Sequence, residues 1–124
     1  MIYVKKGIIY ITKGDAGNLP RFDITDNSED EPQTYELKPG EFLTLTVRPI
    51  PDKSAPIICQ IQSVNGIFYF RPEDTMHMEP GRYSADVELI RQDGMPYTCW
   101  PKLYGKHTYI PENFKNFIIM PEVT

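Results

Sequence analysis

At 124 residues, with 40% hydrophobic and 12% aromatic residues, the chain suits one domain around one core, since a chain near this size buries roughly two-thirds of its unfolded surface. Its net charge of −4 excludes a general nucleic-acid binder, which needs a basic face to displace counterions from phosphates. Two cysteines and two histidines leave little material for metal or nucleophile chemistry.

Twelve prolines and eight glycines cut the chain into short extended pieces. Ile2 to Val4 and Ile8 to Thr12 read as a first strand interrupted near Lys6-Gly7 by a bulge. Lysines break up the apolar residues here, so no run suits a signal peptide or a membrane span. The expectation is a chain made and kept in the cytoplasm, away from membranes. Asp15 to Pro20 reads as a loop and Arg21 to Thr25 as a short strand.

Negative charge is concentrated between Arg21 and Glu41, where seven acids face two bases, leaving about +1 for everything else. The stretch from Asp23 to Glu31 reads as a solvated loop between strand ends. Asp26, Asn27, Glu29, Asp30 and Glu31 also offer oxygen ligands for calcium, but their spacing does not match a twelve-residue EF-hand loop and the sixth position holds no glycine. Tyr35 to Leu37 then leads to the Pro39-Gly40 turn.

Phe42 to Val47 is rich in residues that suit a pleated surface. Pro49 and Pro51 end it, because proline cannot donate to a ladder. Further strands are predicted at Ile57 to Ile61 and Ile67 to Phe70, followed by a helical turn near 72–77 opened by Pro72-Glu73-Asp74. Ala85, Val87 and Leu89 alternate with Asp86 and Glu88, then Asp93-Gly94 precedes a second run from Tyr97 to Trp100. Two alternating segments around an Asp-Gly turn define a β-hairpin. Lys102 to Tyr109 and Phe114 to Met120 close the chain.

About eight short strands with regularly spaced turn signals predict a single all-β domain over 1–124, an antiparallel β-sandwich of immunoglobulin-like type. No segment of helical length carries a 3.6-residue apolar period.

Catalysis is hard to assemble from these residues. Cys99 and His107 could in principle form a nucleophile pair, but Cys99 lies between Thr98 and Trp100 on a predicted strand, where burial keeps a thiol protonated. Cys59 and Cys99 are single, and neither histidine has a partner at zinc-ligand spacing. Phosphate-cradling glycine motifs are absent. The expectation is no enzyme, no cofactor, no metal and two free thiols.

Asp74, Gly81 and Tyr83 are placed like a tyrosine corner, in which a phenol hydroxyl bonds to upstream backbone and fixes a loop. Tyr83 is therefore architectural. The late aromatics fill a core, anchor an interface, or stack on a sugar ring.

The order of short motifs supplies a resemblance. Lys13-Gly14-Asp15 comes first, then Pro39-Gly40-Glu41 and Pro72-Glu73-Asp74-Thr75. The segment Pro80-Gly81-x-Tyr83-x-x-Asp86-Val87-x-Leu89 follows, and Pro121 to Thr124 closes the chain. This order resembles virion proteins of tailed phages and prophages, in particular the N-terminal β-sandwich of baseplate upper proteins. Tyr97 to Pro101 is richer than the family's strand at that point, and Leu103 to Pro111 has no counterpart there. The resemblance implies a docking or connector module made in the bacterial cytoplasm and incorporated into a virion.

The resulting expectation is a non-enzymatic baseplate, tail or head protein that forms a homo-oligomer and contacts other virion proteins. Its contacts are predicted at Trp100, Tyr104, Tyr109, Phe117 and Ile119. The alternative is a carbohydrate-binding β-sandwich, which predicts coplanar exposed rings with polar side chains nearby.

Overall fold

The computed structural model describes residues 1–26, 33–101 and 114–122. Among these residues it is all-β with one helical turn. The strands are β1 (Ile2–Lys5), β2 (Ile8–Thr12), β3 (Gly17–Asn18), β4 (Ile24–Asp26), β5 (Gln33–Tyr35), β6 (Phe42–Arg48), β7 (Cys59–Gln62), β8 (Tyr69–Phe70), β9 (Gly81–Ile90), β10 (Pro96–Trp100) and β11 (Phe117–Met120), with α1 (Pro72–Thr75) before β9. No helix among the described residues is long and apolar enough to cross a membrane.

The N-terminal segment corrects the expected bulge. Lys6 and Gly7 both have positive φ, at 51° and 74°, which makes a tight turn whose twist matches two antiparallel strands. β1 and β2 therefore form a hairpin, with Lys5 opposite Ile8. The Asp93-Gly94 turn forms as its residue chemistry predicts: Gly94 has φ 82°, and its amide donates to the Arg91 carbonyl at 2.9 Å.

The main sheet runs β1-β2-β11-β9-β6-β7, with β10 also on β9. It is mixed, because β11 lies parallel to β2, with Phe117 opposite Ile9 and Ile119 opposite Ile11. The ten-residue β9 organises the sheet. On one side it pairs with β6 from Ser84 to Ile90. Elsewhere its first residues pair with β11 and its last with β10.

Between those two partners the side chain of Asn116 acts like a neighbouring peptide unit. The Ala85 amide donates to Asn116 Oδ1 at 2.7 Å, and Asn116 Nδ2 donates to the Ala85 carbonyl at 2.9 Å. The Asn116 main chain also joins Tyr83 on β9 to Ile9 on β2. One buried asparagine thus keeps the ladder satisfied across a gap, as buried backbone groups require.

Alternation on β6 and β9 sends Leu43, Leu45, Val47, Ala85, Val87 and Leu89 into the core. Ile9, Ile11, Phe117 and Ile119 enter the same cluster from β2 and β11. The two-stranded sheet β3-β8 closes over it with Leu19, Phe68 and Phe70. The Phe70 and Phe117 rings meet at 6.2 Å, tilted by 42°, a favourable arrangement for aromatic quadrupoles. β4 and β5 form a separate small hairpin.

The helical turn falls where Pro72-Glu73-Asp74 placed it. Asp74 caps it by accepting the Arg71 amide at 2.7 Å, and the fully buried Thr75 accepts the Gly14 amide at 2.9 Å. Tyr83 Oη donates to the Glu79 carbonyl at 2.5 Å, so this tyrosine fixes the segment before Gly81, where β9 begins. Tyr83→Phe removes that single bond and leaves the carbonyl to water. Its unfolding free energy falls by about 1 kcal/mol, read as a melting shift of roughly 4 °C.

Candidate functional site

The chemistry-bearing surface lies on the outer face of β6, β9 and β10. The alternation that sends Leu45 and Val87 into the core turns Thr44, Thr46 and Arg48 to the opposite face on β6, and Ser84, Asp86 and Glu88 to that face on β9, where Thr44, Thr46 and Ser84 are themselves covered. Thr98 on β10 stands opposite Glu88. Pro49 and Pro51 stop β6, and the loop after it returns across this face. Lys53 Nζ there donates to Glu88 Oε1 at 3.2 Å and to Thr98 Oγ1 at 3.4 Å. Ser84 Oγ donates to the Phe114 carbonyl and Lys115 Nζ to that of Pro49, which fixes the approach to β11.

These elements enclose a cleft of about 300 Å³ lined by Arg48, Ile50, Lys53, Asp86, Thr98 and Phe114, among others. This is the low end of the range for small-molecule sites, which combine apolar walls with a few placed polar groups. Arg48 Nη1 meets Asp86 Oδ2 at 3.4 Å, with the two side chains 12% and 17% exposed. Arg48 Nε and Asp86 Oδ1 have no hydrogen-bond partner among the described residues. Burial pushes the Asp86 carboxyl above the usual carboxylate range and Glu88 adds to the effect; Lys53 and Arg48 oppose it without reversing it.

Asp86 therefore holds its proton more tightly in the folded chain than in the unfolded one. Its contribution to stability is present below the ordinary carboxylate pKa and is lost as pH rises through the raised folded value. Arg48→Met strips the buried carboxylate of its guanidinium and lowers stability at neutral pH by about 3 kcal/mol. Arg48→Met combined with Asp86→Leu recovers most of that loss, because no buried charge then remains uncompensated. Urea melts of the single and double variants at pH 7 check both outcomes.

Of the expected contact residues, Trp100 is half-buried and packs against the core. It borders a second, apolar cleft of about 170 Å³ with Val4, Phe22 and Phe68. Tyr104, Tyr109 and His107 lie outside the described residues. Phe117 and Ile119 correct the expectation: they are 0% and 1% exposed. β11 is an interior strand between β2 and β9, and alternation turns these two side chains into the core. Ile118 and Met120 are the partly exposed ones.

Among the described residues no group of three or more His, Cys, Asp or Glu could hold a metal; Asn27 to Glu31 of the acidic loop lie outside them. Cys59 and Cys99 are free and buried. Burial pushes the Cys59 thiol up to about 11, and burial also raises Cys99, so both behave as unreactive small hydrophobes. His77 Nε2 lies 2.9 Å from the Ile58 carbonyl. Tyr3 and Tyr10 stack on each other at 4.8 Å, which makes a ring pair, unlike the open coplanar platform expected of a sugar-binding sheet.

Sequence reading counted Tyr97 among the late aromatics but missed the surface group it forms with Arg91 and Met95 at the β9–β10 hairpin. Met95 and Tyr97 are 62% and 51% exposed, and the Arg91 guanidinium carbon lies 5.1 Å from the Tyr97 ring centroid, within cation–π range. It also missed the Arg48–Asp86 pair, since only the β6–β9 register brings them together. No protein-family model, no curated protein and no solved structure matches the chain.

Proposed function

We propose that this chain is a non-enzymatic structural protein of a tailed-phage or prophage particle, a baseplate, tail or head module that assembles through protein–protein contacts. The observation that carries the reading is the hairpin surface of Arg91 and Met95 in the β9–β10 turn and Tyr97 on β10, all exposed. Arg, Tyr and Met are the residue types enriched at protein interfaces, and Tyr and Arg dominate their energetic centres. The motif order from Lys13 to Thr124 supports the virion setting.

In finer detail, we read the fold as an immunoglobulin-like sandwich. The support is the sheet order β2-β11-β9-β6-β7, the small opposing sheet β3-β8, and the Tyr83 hydroxyl anchoring the segment before β9. A second copy of the chain is the first partner of the hairpin surface, and repetition by symmetry gives avidity without a tight single interface. Detection of the chain by mass spectrometry in density-purified particles from the producing host tests the reading. Particles complete in their other proteins but lacking this chain would overturn it.

A further inference from the structure

We propose that the Arg48–Asp86 cleft binds a neutral polyhydroxyl ligand, one sugar residue of a glycan. Its polar groups come from separate elements: Arg48 from β6, Asp86 from β9, Thr98 from β10 and Lys53 from the returning loop. Two of its charged lining side chains each keep one buried atom without a hydrogen-bond partner among the described residues, the donor Arg48 Nε and the acceptor Asp86 Oδ1. A hydroxyl both donates and accepts, so adjacent hydroxyls match a guanidinium donor and a carboxylate acceptor standing side by side in the lining.

Charge argues for neutrality. Arg48 and Lys53 are balanced by Asp52 and Asp86 along the lining, so an anion or a cation meets repulsion as well as attraction. A neutral ligand leaves the ion pair intact and hydrogen-bonds to charged groups, which are the stronger bonds. A carboxamide or peptide unit would satisfy one donor–acceptor pair, whereas hydroxyls around a ring also reach Thr98 and Lys53. The apolar share of the lining, Ile50, Pro51, Ala85 and Phe114, suits the C–H face of a sugar. The cleft accommodates one ring, and β6 and β9 hold its base rigidly as directly paired strands. The site uses the face of β10 opposite to that of Tyr97, since Thr98 stands across from Glu88 and Tyr97 across from Leu89, and it does not depend on the assembly role.

Titration of the full chain with D-glucose, D-galactose and N-acetyl-D-glucosamine, followed by amide NMR shifts, tests the site. At least one sugar is expected to move Arg48, Lys53, Asp86 and Thr98 together, with millimolar affinity. Asp86→Asn weakens that binding about tenfold. Thr98→Val, at an exposed position, weakens it while keeping the wild-type melting temperature. Acetamide and sodium acetate serve as probes for the peptide and anion alternatives. A response to either in place of the sugars overturns the proposal, as does no response to any of the three sugars, or sugar shifts that persist unchanged in both variants.

Discussion

Phe117→Ala lowers the unfolding free energy by about 3–5 kcal/mol, the cost of deleting a ring from a core that cannot collapse around the space. Phe117 is completely buried, contacts the Phe70 ring and sits on β11 between β2 and β9. Its cavity would open where the main sheet meets the small β3-β8 sheet, so neither layer can close it alone. A domain of this size has about 5–15 kcal/mol in total, which brings the variant close to unfolding at ambient temperature. In urea the midpoint falls while the m-value holds, marking lost packing as distinct from a changed unfolded state. Ile118→Ala, one residue along and partly exposed, loses clearly less, about 1 kcal/mol. Equal losses at the two positions would contradict the inward orientation of Phe117.

Asn116→Ala is the second large effect, about 2–4 kcal/mol. It removes the two side-chain bonds to Ala85 and leaves that residue's amide and carbonyl buried without partners, each carrying a desolvation penalty. Asn116→Asp does no better: it keeps an acceptor for the Ala85 amide but sets a carboxylate against the Ala85 carbonyl at a position 1% exposed. Hydrogen exchange gives the local readout. The Ala85 amide is protected in the parent chain and exchanges much faster in Asn116→Ala, while the Leu45 and Val87 amides keep their relative protection. An unchanged Ala85 amide would show that the bridge does not hold the ladder there.

Local chemistry made much of the fold legible. The Asp93-Gly94 turn and the alternation from Ala85 to Leu89 were enough for the hairpin, because a tight turn and a two-residue period are encoded within a few positions. Pro72-Glu73-Asp74 marked the helical turn for the same reason. Lys6-Gly7 was misread because a lysine at positive φ gives no sign of itself in sequence; only the pairing of Lys5 with Ile8 reveals a turn in place of a bulge.

Long-range pairing was not legible. Nothing in Phe117-Ile118-Ile119-Met120 says that it runs parallel to Ile9–Thr12, and an apolar run of four suits a covered interior strand as well as a docking strand. The structure separates the cases by burying alternate residues. Arg48 and Asp86 lie 38 positions apart, and their meeting follows from the β6–β9 register, which a two-residue period leaves undetermined. Asn116 carried no signal either, since its role exists only where β9 changes partners.

Assembly through the β9–β10 hairpin is tested most directly by sedimentation equilibrium of the purified chain over a wide concentration range. The account predicts a mass that climbs above the 14.4 kDa of one chain as concentration increases, and that returns to one chain when Met95→Ser and Tyr97→Ala are combined. A single 14.4 kDa species at every concentration, or self-association unaffected by those two substitutions, would contradict it.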